Sequence, residues 1–445
     1  MERETSASPQ IGDLLELEIE KLIFQGAGLA RWKGMVVLLP HCAAGDRLVA
    51  RVSKIKGHYL EAEVQEILSP SPERVLSPCP HFPACGACQW LHLSPAAQRK
   101  WKERILREQL TPMERWGSVP IWPILPVSDP LGYRTRAQIK VGRKGNRSQL
   151  GFFRPRSSEL EEIDVCPLLQ PDLQGLYASL RALKYPTLAQ LFPALKEIWI
   201  QRGFPKGELT LALLTPFGER PALRLLHQRL RETCPALSGI SLIRDRERGF
   251  YDQVGNPWVE MTIGNLVLRV GSTCFYQVGE RGAEGILHQI EAWIGNGGLG
   301  RVLDLYCGVG TFSLPLARRA EMVLGVEAQT EAAHWARENA QRYGLSQVEI
   351  LQAAAEEALL SPLRQERFDL ALLDPPRSGV SRRTLEGLLR LAPPRMIYIS
   401  CDPSTLARDL GRLMEGGYRC QRVQPLDLFP QTYHLETLVL LERII

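Results

Sequence analysis

Hydrophobic and polar positions along the chain fall into three successive patterns. In the first, Leu14-Leu-Glu-Leu-Glu-Ile-Glu alternates with period two, and Met35-Val-Val-Leu-Leu, Arg47-Leu-Val-Ala-Arg-Val and Tyr59-Leu-Glu-Ala-Glu-Val follow. Period-two alternation puts one face of a strand in a core and the other in water. Gly26, Gly28, Gly34, Gly45 and Gly57 punctuate these runs. Short strands separated by glycine turns predict a small five-stranded β-barrel over 8–70, an architecture that often binds oligonucleotides.

The second pattern opens with Ser69-Pro-Ser-Pro and Ser77-Pro-Cys-Pro-His-Phe-Pro. Proline at this density continues neither a helix nor a central strand, so a boundary and a cysteine-bearing loop are expected. A basic helix is predicted over 95–109, and a mixed α+β domain fills 71–275. From 276 to 445 buried-strand runs alternate with helices: Arg301-Val-Leu-Asp-Leu-Tyr, Met322-Val-Leu-Gly-Val-Glu, Phe368-Asp-Leu-Ala-Leu-Leu-Asp, Arg395-Met-Ile-Tyr-Ile-Ser and Thr437-Leu-Val-Leu-Leu. That rhythm predicts a Rossmann-like, mostly parallel sheet with helices on both faces.

Composition changes this picture little. The 445 residues are 44% hydrophobic and 23% charged, the mix of a folded globular chain and not of a disordered one. No apolar run reaches the roughly 18 residues of a membrane span, and the first ten residues lack the apolar core of a secretory signal. A cytoplasmic protein without membrane attachment is expected, and no obligate protein partner is implied. The net charge of +5 says less than its placement. Arg134, Arg136, Lys140, Arg143, Lys144, Arg147, Arg154 and Arg156 follow one another with no intervening acid, the footprint of a polyanion partner such as RNA.

Candidate chemistry gathers at predicted strand ends. Asp304-Leu-Tyr-Cys-Gly308-Val-Gly310-Thr311 sits where a strand meets a helix starting near Thr311, and glycines there let a ligand approach the backbone. Glu327 ends the next strand, where a carboxylate can accept ribose hydroxyls. The loop lacks the third glycine of a dinucleotide site, which favours a nucleoside cofactor such as S-adenosylmethionine. Asp374-Pro-Pro-Arg377 ends a later strand and is placed beside the same loop. Cys401 ends another, ahead of a helix that Ser404 is expected to cap; a thiol at a helix N-terminus has a depressed pKa and is a nucleophile candidate. Cys307, inside the glycine loop, is the competing thiol, placed to contact a nucleoside. His434 and Glu436, just before the last strand, are general-base candidates.

Cys79-x5-Cys85-x2-Cys88 has metal-site spacing. Cys166 is the candidate fourth ligand, and spacing leaves Zn²⁺ and an iron–sulfur cluster equally open.

Taken together, the cysteine set, Phe275-Tyr-Gln277-Val, the Asp304 loop, Asp374-Pro-Pro-Arg, Ser400-Cys401-Asp-Pro and Phe429-Pro-x-Thr-x-His434-x-Glu436 resemble the S-adenosylmethionine-dependent RNA uracil-C5 methyltransferases. The resemblance spans nearly the whole chain. It is nearest to the 23S ribosomal RNA branch, with a TRAM barrel and a [4Fe–4S] site. It implies Cys401 as nucleophile and Glu436 as the base that removes the C5 proton. It implies Gln277, Tyr306, Gly308, Gly310, Thr311, Glu327 and Asp374 as cofactor contacts, and Cys79, Cys85, Cys88 and Cys166 as iron–sulfur ligands. The expected partner is RNA, with 23S rRNA favoured over tRNA. Two positions depart from the family pattern: Gly279 replaces a frequent Asn, and Ala353, Ala354 and Ala355 replace a polar residue that often contacts adenine. Two rivals are a non-catalytic iron–sulfur RNA-binding or chaperone protein, and an amino-methyltransferase, which Arg377 after the two prolines disfavours.

Overall fold

The computed structural model describes residues 9–145, 147–183, 187–244, 250–360 and 366–444. The chain folds into two compact units, Met1–Glu108 with Phe429–His434, and Gln109–Leu428 with Leu435–Ile445. Among the described residues no helix is long and apolar enough to cross a membrane.

The first unit carries six strands: β1 (Leu14–Glu18), β2 (Lys21–Leu22), β3 (Gly28–Trp32), β4 (Met35–Leu39), β5 (Arg47–Lys56) and β6 (Tyr59–Ser69). They form one sheet in the order β1-β5-β6-β4-β3-β2. This is one strand more than the pattern predicts, because two-residue β2 is too short to alternate. Leu15, Leu17 and Ile19 point into the core beside Val37, Leu48, Val52 and Leu60, as the alternation requires. Gly28 fits because a Cβ there would meet the Cys42 Cβ at 2.9 Å.

Helix α1 (Pro95–Leu110) packs its apolar face, Ala97, Trp101 and Ile105, on Leu22, Trp90 and Leu93. Burial of two tryptophans and their neighbours contributes several kcal/mol. The returning segment 429–434 docks on this helix. The Gln431 amide N–H donates to Gln98 Oε1 (2.7 Å), Gln98 Nε2 donates to Gln431 Oε1 (2.9 Å), and Lys102 Nζ donates to the Phe429 carbonyl (2.9 Å).

The second unit opens with the short strand β7 (Leu125–Pro126). Next come β8 (Arg136–Lys144), β9 (Arg147–Phe153), β10 (Leu160–Glu162), α2 (Pro171–Ala182), α3 (Leu188–Leu191), β11 (Glu197–Arg202), β12 (Leu209–Leu214), α4 (Arg220–Thr233), β13 (Leu237–Ile243) and β14 (Phe250–Gly255). These strands build a seven-stranded sheet in the order β10-β9-β8-β11-β12-β13-β14. The β12–β13 pair is parallel, with α4 as its crossover. A two-stranded ribbon, β15 (Trp258–Ile263) with β16 (Leu266–Gly271), follows.

The rest of the unit alternates: α5 (Gly282–Ile294), β17 (Leu299–Leu305), α6 (Ser313–Ala317), β18 (Ala320–Glu327), α7 (Thr330–Arg342), β19 (Val348–Gln352), α8 (Ala355–Leu360), β20 (Leu370–Leu373), α9 (Arg382–Leu391), β21 (Arg395–Ser400), α10 (Pro403–Glu415), β22 (Tyr418–Asp427) and β23 (Glu436–Arg443). The sheet order is β19-β18-β17-β20-β21-β23-β22-β7. From β19 to β21 the neighbours are parallel, whereas β23 runs antiparallel to both β21 and β22. The reversal brings the start of β23 to the same end of the sheet as the carboxyl ends of β17, β20 and β21. Ligands bind at that end of open α/β sheets.

Candidate active site

The glycine loop leaves β17 through Tyr306, a non-glycine residue held at φ 68°, with Gly308 at φ 58° and Gly310 at φ 86°. The Tyr306 and Cys307 amides both donate to the Val326 carbonyl, at 2.9 and 3.1 Å, which anchors the turn on β18. Glu327 closes it from the other side. Its Oε2 accepts the Gly308 N–H (3.0 Å) and its Oε1 accepts the Gln329 N–H (2.7 Å). A Cβ on Gly308 would meet nothing within 4 Å, whereas one on Gly310 would lie 2.8 Å from Leu314. Gly308 thus exposes backbone to an open space, and Gly310 packs the loop. The following helix starts at Ser313 and not at Thr311, because Thr311 and Phe312 finish the turn; Thr311 is buried.

Beneath the loop lies Asp304, fully buried, with the Ser313 hydroxyl donating to it. Burial raises its carboxyl to about 7, which the Ser313 hydrogen bond opposes and Glu327 reinforces. Gln277 is buried and its Nε2 donates to Asp374 Oδ2 (3.2 Å). Burial, and then the charge of Asp304, push the Asp374 carboxyl up. Gly279 stands at φ 94°, a conformation open to glycine, and its N–H donates to Thr135 Oγ1 (3.2 Å). Ala353 offers no side-chain contact, and its N–H is already taken by the Glu327 carbonyl at 3.0 Å.

Cys401 and Glu436 come from neighbouring strands. In the β21–β23 pairing Ser400 is opposite Thr437. The residue after one and the residue before the other therefore emerge together at the sheet end. Glu436 is 2% exposed. Its carboxyl is raised well above the usual range by burial first and by Asp374 next, with Arg377 opposing. Cys401 is half-buried, and burial, then the charge of Glu436, push its thiol up to about 12, again with Arg377 opposing. Cys401, Glu436, Asp374 and Arg377 thus form one electrostatically linked group.

Two expectations about this thiol are corrected. The helix after it is capped by Asp402, not Ser404: Asp402 Oδ1 accepts the Ser404 N–H (2.9 Å) and the Thr405 N–H (3.1 Å). A carboxylate that satisfies the orphan amides and adds negative charge cancels the helix-end effect expected to depress the thiol. Cys307 is no competitor. It is buried among Ala333, Ala336 and Ile350 and acts as a small core residue.

Part of the basic run is ion-paired within its own sheet. Its acidic partners come from elsewhere in the sheet. Lys140 pairs with Glu197 (2.6 Å), Arg147 with Glu162 and Arg154 with Glu161 (3.0 Å). The half-buried Arg136 donates to the Cys274 carbonyl and lies over the Trp199 ring. Arg143 and Lys144 remain exposed at the β8–β9 tip.

His434 packs edge-on against Phe429 and tilted against Tyr433, in the first unit. Cys79 is half-buried and Cys85 and Cys88 are buried in the first unit, whereas Cys166 belongs to the second. Among the described residues no group of three or more His, Cys, Asp or Glu side chains is arranged to hold a metal ion. Sequence reasoning missed Arg377 as a member of the site; its signal is its place directly after the two prolines.

Comparison with known proteins adds the following. Residues 10–65 match the TRAM domain, and residues 265–444 match the tRNA (Uracil-5-)-methyltransferase family. The chain is similar to an uncharacterized RNA methyltransferase of Thermosynechococcus vestitus, 34% identical over 97% of this chain and 98% of that protein. Another, from Halalkalibacterium halodurans, is 32% identical over 97% of each. Among solved structures, the Pyrococcus abyssi tRNA (uracil-54, C5)-methyltransferase in complex with S-adenosyl-L-homocysteine shares the fold. It has a TM-score of 0.72 and 22% identity over 96% of this chain and 100% of that one.

Proposed function

The chain belongs to the TRAM-containing RNA uracil-5-methyltransferase family, and on that premise we propose that Cys401 and Glu436 carry the transfer of a methyl group from S-adenosylmethionine to C5 of a uridine. The observation that supports these roles is the β21–β23 register, which brings the sulfur and a buried carboxyl to one end of the sheet.

C5 of uracil is too weak a nucleophile to be alkylated unaided. Cys401 gives its proton to solvent, the thiolate Sγ adds to C6, and the electron pair of the C5–C6 bond moves toward C5 and O4. When bound, S-adenosylmethionine supplies the sulfonium methyl that C5 takes, leaving S-adenosylhomocysteine. Glu436 then accepts the C5 proton, the C6–S bond breaks, the C5–C6 double bond returns and the sulfur departs as thiolate. Raised carboxyl affinity for protons suits a group that must take one from carbon. A uridine within folded RNA reaches such a site only when flipped out of its stack.

The residues fit an S-adenosylmethionine site. Gly308 opens backbone to a ligand, Glu327 offers carboxylate oxygens at the end of β18, and the Gln277–Asp374 pair offers a polar rim. Tyr306, Gly310 and Thr311 complete that loop.

We place the target in 23S rRNA, on the joint presence of a TRAM domain and the cysteine trio. The tRNA reading is favoured by the description of the matched family. Methylation of 23S rRNA and tRNA transcripts with labelled S-adenosylmethionine, followed by mapping of 5-methyluridine, separates the two. We further propose that Cys79, Cys85, Cys88 and Cys166 hold a [4Fe–4S] cluster with a structural role. The thiol donor set, with two of the trio buried, supports it. Iron and sulfide assayed after anaerobic purification test it, and zinc alone would refute it. The working division of the chain is RNA-binding barrel at 8–70, substrate-holding region at 71–275 and transfer domain at 276–445.

A further inference from the structure

One face of α10 holds the loop that carries Asp374 and Arg377. Thr405, Arg408 and Asp409 lie at i, i+3 and i+4, so their side chains share that face. Thr405 Oγ1 donates to the Arg377 carbonyl (3.2 Å). Arg408 Nη2 donates to the Ser378 carbonyl (2.9 Å) and, more weakly, to the Val380 carbonyl (3.4 Å). Asp409 is fully buried. Its Oδ2 accepts the Val380 N–H (2.8 Å) and the Tyr398 hydroxyl (2.8 Å), and its Oδ1 accepts Arg408 Nε (2.8 Å).

Gly379 closes the fit. It has φ +74°, and a Cβ there would lie 2.5 Å from both Arg408 Nη2 and Asp409 Oδ2. The Arg377–Val380 part of the loop is therefore hydrogen-bonded to the helix whose first turn follows Cys401, and tied through Tyr398 to the strand that precedes it. Hydrogen bonds to charged partners in such buried networks are strong, and the network has one geometry.

We propose that Arg408 and Asp409 are positioning residues: they fix the Arg377–Val380 end of the loop on α10 and so hold Arg377 at the helix turn that follows Cys401. The inference rests on the reading of Cys401 as nucleophile. Among the described residues, Glu436, Asp374 and Asp402 push that thiol up and the Arg377 cation opposes them. Loosening the loop withdraws this cation and leaves three carboxyls.

The test is alkylation of Cys401 by iodoacetamide at pH 9, resolved by peptide mass spectrometry, in full-length wild type, Arg408→Ala, Arg408→Lys and Asp409→Asn. Arg408→Ala is expected to slow Cys401 alkylation about tenfold, one pKa unit of thiolate. It should lower kcat for methyl transfer by a similar factor with KM for S-adenosylmethionine within about twofold. Arg408→Lys, which keeps a donor but not the fork, should fall between. A lowered melting temperature with wild-type or faster alkylation would show a merely structural role and overturn the proposal. If Asp409→Asn does not fold, Arg408→Ala decides alone. Alkylation needs no RNA, so slowed alkylation in a protein that transfers no methyl group would refute the proposed function and leave the clamp standing.

Discussion

Thr437 lies opposite Ser400 in the antiparallel pairing of β21 with β23, and this register alone brings Glu436 to Cys401. Side chains in a strand alternate faces, so a one-residue slip would turn Glu436 to the other face of the sheet.

Glu436→Gln keeps the shape and removes the proton acceptor. Methyl transfer to C5 should still occur, but elimination should stall. We expect a loss of about 10²–10⁴-fold in turnover and an RNA–protein conjugate through Cys401 that survives denaturing electrophoresis. Normal turnover without conjugate would show that another group takes the proton.

The thiol of Cys401 stands at about 12, held there by burial and Glu436. Its reactive thiolate fraction therefore rises with pH throughout the neutral range. Deprotonation of Glu436, also raised, supplies the proton acceptor, while its charge opposes the thiolate. Single-turnover rates at saturating substrates should climb about tenfold per unit between pH 7 and 9. A flat profile would contradict this origin of the nucleophile.

Gly308 and Gly310 should fail differently when changed to Ala. Both have positive φ, which costs about 1 kcal/mol for a residue with a Cβ. Gly310→Ala also drives a methyl into Leu314, so its larger effect, about 2–4 kcal/mol, should appear in denaturant unfolding. Gly308→Ala points its methyl into open space and should instead weaken S-adenosylmethionine binding in calorimetry. The reverse ranking would place the ligand elsewhere.

Asp304, at about 7 in the folded chain, binds its proton more tightly than in the unfolded chain. Its stabilising contribution is complete below the ordinary carboxyl range and is lost as pH rises through 7. Asp304→Asn removes that loss. The stability of the variant relative to wild type should thus improve between pH 4.5 and 8, by about 3 kcal/mol. Parallel stability curves would show that Asp304 stays ionised.

The strands of the first unit and the alternating strands and helices from 282 onward were legible because both depend on periodicity. Leu15, Leu17 and Ile19 bury as their spacing demands, and the Asp304 loop and Asp374 stand at strand ends as expected. Interactions between distant segments were not legible. The one-sign run from Arg134 to Arg156 gave no hint that Glu161, Glu162 and Glu197 would pair with it across the sheet. The short distance from Cys401 to a helix start suggested a depressed thiol. Only the fold revealed that Asp402 caps that helix and that Glu436, already a base candidate, pushes the thiol up. Strand β22 also escaped the pattern, because a bulge after Cys420 and the buried polar Gln424 break its alternation.

The central claim is that one sulfur activates the pyrimidine ring. Wild-type protein and Cys401→Ala should be incubated with methyl-labelled S-adenosylmethionine and unmodified RNA, and the nucleosides separated. The account predicts label in 5-methyluridine with the wild type and none with Cys401→Ala. Equal label with both proteins, or none with the wild type, would contradict it.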